Sequence, residues 1–313
     1  MISRQELQKA AQRVQPYIHK TPVLASSAIN SMLDLNVHFK CENFQKMGAF
    51  KMRGATNAIM SLTQSERAKG VVTHSSGNFA QAVALASKMN NTEATIVMPT
   101  SAPKIKKMAV IGYGARVVDC APTQQAREET ADRVVAETGA TLLHPSNQIE
   151  VITGNATAAM ELFEQVRNLN AVFTPVGGGG LIAGTALAKY RFADAVQVFG
   201  GEPSGADDAY RSLKAGYVIP VENPVTIADG LRTSLGDVNF PIIKELVNEI
   251  YLVEENEIVE AMRLVWERMK IIIEPSSAVP LAALIKNKAS FKNKHVGIII
   301  SGGNVNLSEL PFT

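Results

Sequence analysis

Lys51 is the residue in this chain best suited to covalent chemistry. It follows the turn Met47, Gly48, Ala49 and adjoins an aromatic residue, Phe50. A primary amine on a firm turn against an aromatic face can form an imine with a carbonyl cofactor. The same lysine at a helix start also reads as a solvated surface residue. Three further loops bear on the choice: HSSGNFAQ, PVGGGGLIAG and ISGGNVN, each at the end of a strand-like run.

Gly177, Gly178, Gly179 and Gly180 stand between an apolar run and a helical pattern. Consecutive glycines let backbone N–H groups crowd toward an anion, and the helix N-terminus adds positive potential. A phosphate cradle is the reading this favours. A dinucleotide site is the rival: Gly178, Gly180 and Ala183 meet the relaxed G-x-G-x-x-[GA] spacing, with Glu202 as the ribose acid. That rival leaves Lys51 and the two serine loops without work.

Ser75, Ser76, Gly77 and Asn78 open a helix after a strand. They are either a plain cap or a donor-rich turn for a substrate carboxylate, with Asn78 free to bond a phenolate-like oxygen. Ser301, Gly302, Gly303 and Asn304 close the last strand. The Ser301 hydroxyl can face a ring nitrogen, and as a poor acid–base partner it would leave that ring unprotonated. Glu202, Asp207 and Asp208 in GGEPSGADD offer oxygens for a hard cation, or form a charged loop.

These loops need elements to hold them. Apolar runs and helical patterns alternate along the chain. Strands are expected at 37–42, 71–75, 95–98, 115–120, 140–144, 172–176, 196–200, 250–253 and 295–300. Helices are expected from 51 to 60, at 79–89, 103–111, 123–138, 152–167, 181–190 and 258–269. Such alternation makes parallel sheets, whose ligands sit beyond the C-terminal strand edges.

The chain has 313 residues, 46% hydrophobic, with a formal net charge of +2. That balance favours neither nucleic acid nor an anionic membrane as partner. Lys104, Lys106 and Lys107 read as a solvated helix face. Cys41 and Cys120 read as buried thiols of a reducing compartment. The five histidines lack metal-ligand spacing. Without an apolar signal core or a long apolar run, a cytoplasmic enzyme is expected.

Together these segments resemble the fold type II pyridoxal-phosphate enzymes, and among them the serine racemase and serine/threonine dehydratase group. The likeness runs in order over nearly the whole chain through HKTPV, FKCENFQKMGAFKMRGA, THSSGN, PVGGGG, GEPSGADD, TIADG, LVWERMK, IEPSSAV and SGGNV. It implies an α/β fold like the tryptophan synthase β subunit, with two lobes, each an open mostly parallel sheet flanked by helices. A large cofactor-binding domain would take 1–69 and 148–313, and a small mobile substrate-binding domain 70–147. A homodimer is the family expectation.

Position by position, the resemblance makes Lys51 the cofactor lysine, with Phe50 against the cofactor ring. Asn78 would bond the 3′-oxygen, Gly177 to Gly180 the phosphate, and Ser301 the ring nitrogen. Ser76 would serve the face opposite the lysine. Ser75 and its loop would take the substrate carboxylate, with Arg133 and Thr233 near the substrate. Glu202, the Ala206 carbonyl and Asp208 would hold a divalent cation (Mg, Mn or Ca). Two departures stand out. Phe79 replaces the usual histidine after the asparagine, and Gly154, Asn155, Ala156, Thr157 replaces the usual GQGT. Phe79 puts a substrate other than serine forward. The implied reaction is loss of water from a β-hydroxy amino acid followed by hydrolysis to a 2-oxo acid and ammonia, with racemisation as a second activity. A β-replacement synthase and a non-catalytic ligand-binding relative are the remaining alternatives.

Overall fold

The alternating runs form two open sheets in a computed structural model, which describes residues 2–312. The larger sheet contains β1 (Val23–Leu24), β2 (Asn36–Cys41), β7 (Ala171–Pro175), β8 (Gln197–Pro203), β9 (Glu249–Val253) and β10 (His295–Ile300). Its order is β1-β2-β10-β7-β8-β9, parallel throughout except for the β1 edge. The smaller sheet contains β3 (Val71–His74), β4 (Ala94–Pro99), β5 (Arg116–Cys120) and β6 (Thr141–Leu142), all parallel in the order β5-β4-β3-β6.

Period-two alternation divides each strand between two cores. Val296, Ile298 and Ile300 of β10 face the helices Glu255–Met269 and Pro275–Lys286. Ile299 faces the opposite cluster, with Ile152 and Ile182 from the helices Ile149–Gln165 and Gly180–Phe192. In the smaller sheet Val71 and Ile96 pack on the Asn78–Met89 helix, and Val72 and Val97 on the Gln124–Thr138 helix.

The helix Lys51–Ser61 sends Met52, Ala55, Ala58 and Ile59 into the cluster of the smaller sheet. Its other neighbour is Ile149–Gln165, which it meets at backbone distance. A Cβ on Gly154 would lie 2.8 Å from the Gly54 Cα, so both helices need glycine at the crossing.

The strand expected at 140–144 is only Thr141–Leu142. The chain turns at His144, whose Nδ1 accepts from the backbone N–H of Ser146 and Asn147. A short edge strand and the helices Ser27–Leu33, Gln64–Ala68, Asp208–Ala215, Phe240–Leu246 and Pro275–Lys286 add to the expected set. Cys41 and Cys120 are buried and free. Burial pushes the Cys41 thiol up to about 12, so it is not a nucleophile at neutral pH.

Candidate active site

Parallel register brings the loops to common edges. β10 pairs with β2 from His295↔Asn36 to Ile300↔Cys41, and β7 with β8 through Pro175↔Gly201. The SGGN loop, the glycine loop and the GEPSGADD segment therefore leave neighbouring strand ends.

Lys51 starts its helix, and its Nζ donates to the Pro145 carbonyl at 2.7 Å. The nitrogen lies 5.0 Å from the Phe50 ring centroid and 5.5 Å from that of Phe79. Burial lowers its pKa to about 8, and the charge of Glu274 opposes the shift. A partly buried amine near neutrality can act as nucleophile and base.

Pro145 links Lys51 to the glycine loop. The next residue, Ser146, packs so tightly there that a Cβ on Gly180 would lie 2.9 Å from the Ser146 Cα. Asn239 braces the loop, with Nδ2 donating to the carbonyls of Ser146 and Gly178. Thr233 Oγ1 stands against Gly178. Gly179 has φ +78°, where a side chain is strained. Among the described residues, no protein acceptor takes the N–H groups of Gly177 to Gly180. A crowded loop with free donors at a helix start fits a phosphate.

Asn78 heads its helix and reaches across to the larger sheet. Its Nδ2 donates to both Glu274 carboxylate oxygens at 3.0 Å, and its Oδ1 accepts from Asn304 Nδ2 at 2.9 Å. Burial raises Glu274 to about 7, while the Asn78 hydrogen bond opposes it. Ser301 is buried, and its carbonyl accepts from the Phe50 N–H, tying the SGGN loop beside Lys51. Ser75 and Ser76 are half-buried in the preceding turn, where the Gly77 N–H reaches the Ser75 hydroxyl.

The helix behind Lys51 is anchored by a buried ionic cluster. Arg53 bonds Glu42 at 2.7 Å and Glu161 at 2.8 Å, and Lys40 bonds Glu161 at 2.6 Å. Burial alone would raise Glu42, but the Arg53 charge and hydrogen bonds hold it below the usual carboxylate range.

Arg133 is not brought to the site. It lies on the outer face of its helix, 62% exposed, opposite Glu137. The arginine turned inward on the same helix is Arg127, whose Nε is buried without a partner. Phe79 is buried in the core of the smaller sheet, 2% exposed. Asn155 is fully buried, and neither side-chain amide atom has a partner. Lys106 and Lys107 pair with Asp229 and Asp119.

Glu202 and Asp208 are buried and electrostatically coupled. Glu202 accepts from the N–H groups of Ala209 and Tyr210, so it caps a helix and is not presented as a ribose acid. Asp208 Oδ1 is buried without a partner, and Ala206 is buried in the intervening turn. Asp207 pairs outward with Arg211.

A family model described as pyridoxal-phosphate dependent enzyme matches residues 14–302. The chain belongs to that family. It is similar to the serine racemase of Dictyostelium discoideum, at 50% identity over 99% of this chain and 97% of the relative. It is 47% identical to the beta-hydroxyaspartate dehydratase of Paracoccus denitrificans, over 98% of each. The crystal structure of the Dictyostelium racemase superposes with a TM-score of 0.94 at 51% identity, covering 98% of this chain and 99% of that one. The crystal structure of a T.th. threonine deaminase gives 0.94 at 42% identity, covering 98% and 100%. This pyridoxal-phosphate enzyme therefore has the type II fold, and its glycine cradle and half-buried Lys51 suit that cofactor.

Proposed function

We propose that this pyridoxal-phosphate enzyme eliminates water from an L-β-hydroxy amino acid such as serine, threonine or 3-hydroxyaspartate, yielding a 2-oxo acid and ammonia. The observation that carries the reading is the half-buried Lys51 amine, near neutrality and one residue's contact from the glycine cradle. Relatives named beta-hydroxyaspartate dehydratase and, in Saccharomyces cerevisiae, L-threo-3-hydroxyaspartate ammonia-lyase (43% identical) support the reaction class.

Pyridoxal phosphate, when bound, makes the α-hydrogen of an attached amino acid acidic by drawing off its electrons. Lys51 Nζ would hold the cofactor and, once the substrate amine has displaced it, would be free to take the α-proton. Asn78 would face the 3′-oxygen, Gly177 to Gly180 would offer N–H groups to the phosphate, and Ser301 would stand at the ring nitrogen. Ser75 and the turn N–H groups hold the substrate carboxylate. The smaller unit, 70–147, carries these substrate contacts as a mobile domain. Ser76 Oγ serves the face opposite Lys51. Returning a proton there gives the enantiomer, and the Dictyostelium racemase supports that second reading. In our reading the enzyme works as a cytoplasmic homodimer.

Product analysis tests this. L-Serine, L-threonine and the threo and erythro 3-hydroxyaspartates would be supplied with cofactor and magnesium, followed by chiral chromatography and 2-oxo acid detection. Oxo acid alone marks a dehydratase, and D-amino acid puts racemisation first. The absence of both would overturn the proposal.

Restoring histidine at Phe79 is expected to change relative kcat/KM among these substrates by roughly tenfold, about the worth of one hydrogen bond. The buried imidazole should also lower stability by about 1–3 kcal/mol. Unchanged ratios would mean that this ring does not meet the substrate.

A divalent cation held by Glu202, the Ala206 carbonyl and Asp208 is part of the proposal. Burial pushes Asp208 up to about 7, and burial followed by the Asp208 charge raises Glu202 well above its usual value. Both folded values lie above the unfolded ones. The cation-free protein therefore loses stability as pH rises from the ordinary carboxylate range through Asp208's value of about 7. A cation takes the place of those protons, so chelation should lower Tm more at about pH 8 than at about pH 5. Equal shifts in thermal melts would count against the site.

A further inference from the structure

Asn304 ends the SGGN loop that follows β10 and meets two other segments of the site. Its Nδ2 lies 2.9 Å from the Met47 carbonyl and 2.9 Å from Asn78 Oδ1. The turn before Lys51 is shaped around it. Met47 has φ +55°, and a Cβ on Gly48 would lie 2.7 Å from Asn304 Oδ1. The Gly303 N–H donates to the Gly48 carbonyl at 2.9 Å, so backbone also ties the two loops together.

Such contacts decide which way an amide points. A backbone carbonyl only accepts, so the Asn304 atom against Met47 must be its NH₂ group. That group only donates, so the Asn78 atom facing it must be the carbonyl oxygen. The Asn78 NH₂ group is thereby turned to the other side, where both Glu274 oxygens stand at 3.0 Å. Two oxygens of one carboxylate subtend a narrow angle at that nitrogen, far less than the angle between two amide hydrogens. One hydrogen serves both oxygens, and the other stays open. Glu274 could not fix this orientation alone. Burial raises it to about 7, and a protonated carboxyl donates as well as accepts. The Met47 carbonyl carries no such ambiguity.

We propose that Asn304 is a positioning residue that holds the Asn78 amide with its open N–H toward the 3′-oxygen of the cofactor, so that this oxygen is kept ionised. This rests on the placement of Asn78 at that oxygen in the proposed function. A donor favours the charged form of the oxygen it meets, whereas a carbonyl turned there would favour the protonated form. With the 3′-oxygen ionised, the nitrogen joining the cofactor to Lys51 keeps the proton. The attached carbon is then a better target for a substrate amine. Asn304 thus bears on how readily substrate displaces Lys51, and it acts through Asn78.

The test reads the absorption spectrum of the holoenzyme before substrate is added. Lysine-bound pyridoxal phosphate absorbs in the visible when its 3′-oxygen is ionised and in the near ultraviolet when that oxygen is protonated. The wild type should show mainly the visible band. Asn304→Ala should lower the visible-to-ultraviolet ratio by roughly tenfold, about the worth of one hydrogen bond. Asn304→Asp keeps the shape of the side chain but has no hydrogens to donate, and it should do the same. Asn304 is exposed, so neither change should unfold the protein. In an Asn78→Ala background, Asn304→Ala should cause no further change, whereas a general loosening of the loop would act in both backgrounds. A mainly ultraviolet wild-type spectrum, an unmoved ratio in Asn304→Ala, or equal movement in both backgrounds would overturn the proposal. A fall in Asn304→Ala that Asn304→Asp does not share would also overturn it, since shape and not donation would then matter. A ratio unmoved by Asn78→Ala itself would remove Asn78 from the 3′-oxygen and the proposal with it.

Discussion

Lys51→Ala is expected to yield a folded protein that loses the visible absorbance of lysine-bound cofactor on dialysis and loses turnover. General-base catalysis alone is worth about 10²–10⁴-fold, and covalent attachment adds to it. The helix should survive, because Lys51 occupies its first position and alanine is the better helix former. The pH dependence can be checked independently. Burial holds the free amine at about 8, so attachment of pyridoxal phosphate to the apoprotein should speed up as pH rises through that value. Glu274 opposes the depression, so Glu274→Gln should move the rise to lower pH. Retained absorbance in Lys51→Ala would place the cofactor on another amine. A rate still climbing near the ordinary lysine range would deny that burial tunes this one.

The strands and cofactor loops were legible because their physics is local. Buried parallel strands are apolar runs, and Gly177 to Gly180 mark a point where backbone must approach backbone. Partnerships across the chain were less legible. Asn78 with Glu274, and Ser277 with Ser301, join segments whose spacing carries no signal. The arginine on the Gln124–Thr138 helix was readable in principle. Ala131 and Val134 are its buried positions, and Arg127 precedes them by four and seven residues, on the same face. Arg133 has the wrong phase, so counting helical turns separates the two where likeness to a motif did not. Phe79 was seen as a departure at a helix start, but its burial beside Lys51 depends on the packing of the smaller sheet. Lys40 held a clue too, since a charge between Phe39 and Cys41 in a buried strand must find a partner.

That partner belongs to the cluster with the largest expected effect on stability. Arg53 is completely buried, between Glu42 and Glu161, and Thr21 also donates to Glu42. Arg53→Ala would leave Glu42 charged or forced to protonate at a position closed to solvent, together with a cavity. A loss of about 3–5 kcal/mol is expected, as for breaking other buried ion pairs. Arg53→Lys should recover only part of it, because one ammonium cannot reproduce the two-sided fork to Glu42 and Glu161. The double variant Glu42→Gln/Arg53→Met should lose less than the sum of its single changes, since neither charge is then stranded. Urea denaturation of the four proteins would show this. Strictly additive losses would mean that Glu42 and Arg53 stabilise the fold separately. The cluster would then not be the unit that sets the helix carrying Lys51 against Ile149–Gln165. Burial argues for the unit: with no solvent to screen either charge, Glu42 depends on Arg53 to stay ionised, and Arg53 depends on Glu42 and Glu161 to offset its desolvation.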